Sequence, residues 1–262
     1  AQAPPFKIVH GLEGRDAQIE DVKTLLRNMA EVSMEVLCYN WMPDEDWQRT
    51  SKDVPERGGA KVTAFDLKQA GEGNLTDADG LPKTRTPADR LWENLKRFLD
   101  DILPTAEDCN VRLALHPDDP PLSNLHGQDR IITSNEAFER VVALAPSPYN
   151  GLCYCQGALA PAGVDVEAGI RKLAPHIHYA HFRNVSGVAE DFRETFHDNG
   201  GLDMAALMRA YKECGFDGPM RPDHAPSLAG ESNETPGYET LGKLHAIGYM
   251  KGLYDQASFF ES

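Results

Sequence analysis

The chain has 262 residues, 41 acidic and 26 basic, for a net charge of -15, and 41% of it is hydrophobic. A diffuse negative charge of this size argues against nucleic acid and anionic membrane as main partners, and no run approaches the roughly 20 apolar residues that span a bilayer. The opening AQAPPF lacks the basic start and apolar centre of a secretion signal, and five cysteines at scattered positions form no disulfide framework, so a cytoplasmic location is expected.

Phe6-Lys7-Ile8-Val9 reads as a strand remnant or an ordered arm. From Arg15 to Val32, apolar residues fall at Ile19, Val22, Leu25, Leu26, Met29 and Val32, and these spacings of three and four predict one helical stripe. Met34 to Tyr39 is then a short buried strand. The polar stretch from Asn40 to Arg85, with Gly58-Gly59, Gly71, Gly73 and Gly80, has no regular period and is expected to be a long lid or binding loop. Thr86-Pro87-Ala88-Asp89 predicts a helix start with Thr86 as cap and Pro87 in the first helical position. That helix would carry Leu91, Leu95, Phe98, Leu99 and Ile102 inward.

A strand over 111–115 follows, then a helix opened by Thr133-Ser134-Asn135-Glu136 and running to about Leu144. Next come a strand over 151–154, a helix around Val164–Leu173, a strand over 177–182, a helix from about Leu202 to Cys214, a strand over 219–221 and a last helix over 240–255. This alternation predicts an α/β fold with a parallel sheet. The absence of GxGxxG and GxxxxGK[ST] patterns argues against nucleotide-phosphate folds.

Four of these strands end in a metal-competent residue: His116, Cys155, His181 and Asp223. Convergence of strand ends is how a TIM-type (β/α) barrel builds its site, so one such barrel domain over 1–262 is expected, although five strands and a candidate sixth are legible rather than eight. Taken alone, a histidine after a strand is usually a hydrogen-bonded loop residue, and a cysteine usually a small core residue. Together, two imidazoles, a thiolate and a carboxylate suit a divalent first-row ion such as Mn, Fe, Co or Zn. Of Cys153 and Cys155, only one is expected to face the barrel mouth, and Cys155, nearer the strand end, is preferred. Arg183, Asn184, Arg221, His197 and Asp118 are the expected substrate contacts. For Asp118, capping of its own loop competes with that role; for His197, a solvated loop position does. Arg49 is read equally as a carboxylate fork or a surface ion pair, and Tyr238 as a residue lying over the site after the 225–235 loop.

VLCYNWMPDEDWQRT, RLALHPDDPP, GLCYCQG, HFRNV, GFDGPMRPDH and AIGYMKGL together resemble the mannonate dehydratases of the xylose-isomerase-like barrel class, over about Val36 to Leu253. The resemblance implies dehydration of D-mannonate to 2-keto-3-deoxy-D-gluconate in hexuronate breakdown, with a divalent cation, typically Mn2+ and alternatively Fe2+, Co2+ or Zn2+. It puts the metal ligands on His116, Cys155, His181 and Asp223, and the acid/base pair on His224 and Tyr238. It also implies first barrel strands for which little precedes Phe6. The expectation is therefore a barrel incomplete at its N-terminus: open, completed by another chain as in a homodimer, or shortened. A metal-dependent sugar isomerase or epimerase of the same superfamily, and a non-catalytic paralogue that binds a sugar acid, are the alternative readings.

Overall fold

A computed structural model of the chain describes residues 4–43, 46–73 and 84–259. In chain order, α1 (Phe6–His10) and α2 (Arg15–Glu31) lead into strand β1 (Val36–Asn40). An antiparallel pair, β2 (Ser51–Pro55) and β3 (Lys61–Asp66), precedes α3 (Ala88–Asp108). Then come β4 (Arg112–His116), a small ladder of β5 (Asn124–Leu125) and β6 (Gln128–Asp129), and α4 (Asn135–Leu144). They are followed by β7 (Asn150–Cys155), α5 (Gln156–Leu159), α6 (Val166–Leu173) and β8 (Ile177–His181). The last elements are β9 (Val185–Val188), β10 (Asp191–Glu194), α7 (Met204–Glu213), β11 (Met220–Arg221) and α8 (Thr240–Phe259). β1, β4 and β7 are successive parallel neighbours, and the end of β8 runs parallel to β11.

The residues gather into two compact units. One holds the chain up to Trp47, Glu72–Tyr154 and His176–Tyr179; the other holds Gln48–Gly71, Cys155–Pro175 and the chain from Ala180 onward.

In the first unit, β1 and β4 run parallel and in register, with Asn40 opposite His116, and β4 continues onto β7, with Leu115 opposite Leu152. The α3 stripe of Leu91, Leu95, Phe98, Leu99 and Ile102 is buried as its spacing requires. Phe98 meets Tyr39 and Trp41 at ring-centroid distances of 5.6 and 5.4 Å. Ser134 caps α4 by accepting from Ala137 N, and Phe138 of that helix packs on Tyr154 of β7. Gly151 lacks a side chain because the His178 ring lies where its Cβ would be, with the His176 carbonyl 2.6 Å from that point. Across this gap His178 donates its Nδ1 proton to the Leu113 carbonyl at 2.7 Å.

In the second unit, β2, β3, β10 and β9 form a four-stranded antiparallel sheet in that order, with Phe65 and Phe192 in ring contact at 5.8 Å. The end of β8 pairs with β11, Met220 opposite Ala180 and Arg221 opposite His181. Helices α6 and α7 are capped by Asp165 and Asp203, which accept from Ala168 N and Ala206 N.

Three expectations change. Phe6–Val9 is helical: Ile8 and Val9 are both buried, on consecutive residues that a helix can turn to one packed face. The stretch from Asn40 to Arg85 holds β2 and β3 instead of being a structureless loop; Gly80 lies outside the described residues. Helix α3 starts at Ala88 with Pro87 in the cap position, because the Thr86 hydroxyl is 2.6 Å from His10 Nδ1 rather than turned to the helix.

Candidate functional site

The strand register delivers each proposed ligand to a strand end. His116 closes β4, Cys155 closes β7, His181 closes β8, and Asp223 stands two residues beyond β11. In the second unit, Cys155, His181 and Asp223 converge, each offering one ligand atom within 4.8 Å of the others. Asp223 Oδ2 is the common vertex, 3.5 Å from His181 Nδ1 and 3.9 Å from Cys155 Sγ. Donors around one tetrahedral ion, with bonds of about 2.0–2.3 Å, stand about 3.3–3.8 Å apart, close to the two separations from Asp223 Oδ2. The other oxygen, Oδ1, is held by Arg221 Nη2, which turns Oδ2 toward the cluster. Asp223 adopts φ 58°, in the left-handed region where aspartate is among the few tolerated side chains. Burial alone would raise its pKa, but His181, His224 and Arg183 outweigh burial and hold the carboxyl well below its usual range.

In the first unit, buried His116 donates its Nδ1 proton to the Pro117 carbonyl at 2.7 Å. A carbonyl only accepts, so Nε2 keeps its lone pair, the arrangement typical of a ligating imidazole.

His224 follows Asp223 and is the hub of a second cluster. Its Nε2 is 2.7 Å from Tyr238 Oη, with the rings edge to face. Its Nδ1 lies 3.0 Å from both Glu194 Oε1 and Arg183 Nη1. These contacts require opposite protonation: Nδ1–H donates to Glu194, whereas a bare Nδ1 accepts from Arg183. Glu194 also accepts from Arg49 at 2.6 Å and faces Arg183 Nε at 3.5 Å. Burial pushes Glu194 up, yet Arg183, His224 and Arg49 together bring it down to about 2. Arg183 itself is fully buried and reaches Asp223 Oδ2 at 3.4 Å. It passes over Gly157, where any Cβ would collide with the Arg183 side chain.

The remaining candidates are tied to nearby backbone. His197 is fully buried and donates Nε2–H to the Pro222 carbonyl at 2.9 Å, and burial lowers its pKa. Asn184 spans the turn to His197 O and Leu202 O at 2.9 and 3.4 Å. Asp118 accepts from Ile132 N at 2.7 Å, and burial raises it to about 6 against the pull of Arg130.

Two further readings change. Arg49 is no surface pair: its side chain is fully buried against Glu194. Cys153 and Cys155 are not alternatives for one face, because residues two apart on a strand share a face; Tyr154 between them is the one turned onto α4. Glu194 escaped the sequence reading, and Gly157 entered it only as a residue following Cys155. The Phe192-Arg193-Glu194-Thr195 stretch has no spacing that signals a site, and Gly157 directly after the Cys155-Gln156 pair was the only hint of close packing.

A family model described as D-mannonate dehydratase matches residues 3–261. The mannonate dehydratase of Thermotoga petrophila is 35% identical over 282 residues, covering 94% of this chain and 76% of its own length. The crystal structure of mannonate dehydratase from Streptococcus suis superposes with a TM-score of 0.89 at 35% identity, over 97% of this chain and 74% of that one. A xylose isomerase-like TIM barrel protein from Mycobacterium smegmatis matches at a TM-score of 0.57 and 14% identity, over 94% of this chain and 69% of that one. The fold class is the TIM-type barrel.

Proposed function

The chain belongs to the D-mannonate dehydratase family, and from that premise we propose that it converts D-mannonate to 2-keto-3-deoxy-D-gluconate and water, in the cytoplasm, as a step of hexuronate breakdown. The observation that carries the reading is the 2.7 Å contact between His224 Nε2 and Tyr238 Oη, one residue from the Asp223 vertex. It supports a proton-transfer pair beside a cation site.

Dehydration removes a proton from C2 and hydroxide from C3. Cys155, His181 and Asp223 are the proposed ligands, with His116 as the fourth by family likeness. A divalent cation held there, Mn2+ by family likeness, would supply Lewis-acid polarisation of the substrate. His224 and Tyr238 share one hydrogen bond and so one mobile proton. The member holding that proton serves as acid toward the departing hydroxide, and the other as base toward C2. Glu194 and Arg183 hold the imidazole from behind, and Glu194 favours the tautomer that carries the proton on Nδ1, as a carboxylate does for a catalytic histidine. Arg221 aims Asp223. Arg183, Arg221, Asn184, His197 and Asp118 are the proposed substrate contacts.

Incubating the purified, Mn2+-loaded chain with D-mannonate tests this. The expected product is lighter by one water and reacts as a 2-keto-3-deoxy acid. A product of unchanged mass would make the chain an isomerase or epimerase instead, and binding without product would make it a non-catalytic relative.

A further inference from the structure

Cys38 and Cys153 take no part in the chemistry above. Cys38 on β1 lies opposite Ala114 on β4, and Ala114 lies opposite Gly151 on β7. The three form one lateral row and point to one face of the parallel strands. Cys153, two residues beyond Gly151, returns to that face. The next residue on each strand turns the other way, Tyr39 onto Phe98 of α3 and Tyr154 onto Phe138 of α4. Ala114 and Gly151 contribute a single methyl group to the row between the cysteines. The two sulfurs lie within 4.8 Å of one another. Cys153 is fully buried and Cys38 half-buried.

This geometry suits a bridge other than a disulfide. With β4 between them, β1 and β7 stand two strand spacings apart, about 9.5 Å. A disulfide needs Cα atoms roughly 4.4–6.8 Å apart. An ion has no such limit: two thiolate bonds of about 2.3 Å span about 3.8 Å when tetrahedral and about 4.6 Å when linear. We propose that Cys38 and Cys153 form a second cation site, a thiolate clamp for one soft, thiophilic d10 cation of the Cu+, Zn2+ and Cd2+ class. On binding, each thiol releases its proton to water and its sulfur donates a lone pair; nothing is oxidised or reduced. The clamp differs in kind from the centre around Asp223, since it offers no carboxylate.

The test titrates Cd2+ into the full chain preloaded with Mn2+ and follows the near-ultraviolet absorption of cadmium–thiolate bonds. Wild type is expected to show this band, and Cys155→Ser to retain it. Cys38→Ser should weaken Cd2+ binding roughly tenfold or more and remove one Cd2+ per chain. Cys109→Ser, a substitution outside both sets, should change nothing. A folded Cys38→Ser protein with an undiminished band would overturn the proposal. So would a Cys155→Ser protein with no band at all, a result that stands even if the Cys38 variant does not fold and that does not depend on what the first centre binds.

Discussion

Buried charge around His224 makes the sharpest claims available from single residues. Glu194 faces two guanidinium groups and an imidazole while buried, so removing its charge strands those cations away from water. Glu194→Gln should cost about 3–5 kcal/mol of stability, the usual penalty for breaking a buried pair, visible as a lowered urea midpoint. Tyr238→Phe keeps the ring and deletes the hydroxyl that meets His224 Nε2. It should lower the rate of keto-acid formation by about 10²–10⁴ while leaving substrate binding and metal content near wild type; unchanged kcat would remove Tyr238 from the mechanism. Cys155→Ser should instead weaken Mn2+ affinity by at least roughly tenfold, read by equilibrium dialysis, and an unaltered affinity would show that the sulfur is not a ligand. At this scale the sequence was informative where a residue sat at a strand end, as His116, Cys155 and His181 do. It was silent where function comes from pairing over distance. Arg49 and Glu194 are 145 positions apart, and no local spacing records that they meet.

Among the elements, legibility followed amphipathic period. The α3 stripe is buried as read, and Phe98 anchors it against Tyr39 and Trp41. Phe98→Ala should therefore cost about 3–5 kcal/mol, and a loss below about 1 kcal/mol would mean that the α3 contact contributes little. The β2–β3 pair was missed because charged residues such as Lys52, Asp53 and Lys61 occupy its exposed positions and leave no clean alternation to detect. The β7–β8 contact supplies a pH test. Burial is the main cause lowering the pKa of His178, despite its bond to the Leu113 carbonyl. The unfolded chain then binds the proton more readily than the folded one. Stability should be fully present above the unfolded value near 6.5 and fall as pH drops below it toward the folded value. Urea midpoints at neutral and mildly acidic pH should differ in wild type and differ less in His178→Asn; equal slopes would show that His178 does not govern the acid limb.

For the whole molecule, the fold class was legible because alternating helices and strands admit few layer arrangements, and the family likeness narrowed these to the TIM-type barrel that the structural matches share. A cation that binds only the folded chain must stabilise it by mass action, by about 2.7 kcal/mol at a hundredfold excess over Kd. Stripping metal with a chelator should thus lower the melting midpoint, Mn2+ should restore it, and Cys155→Ser should blunt the restoration. A midpoint indifferent to chelator would mean that the folded chain does not bind the cation in preference to the unfolded one. Among the described residues no helix is long and apolar enough to cross a membrane.

Bound manganese and keto-acid formation from D-mannonate, measured on the same samples of wild type and His224→Asn, probe the division of labour between cation site and proton-transfer pair. The account predicts equal metal in both proteins and product only from wild type. Full turnover by the variant, or absence of product from metal-loaded wild type, would contradict it.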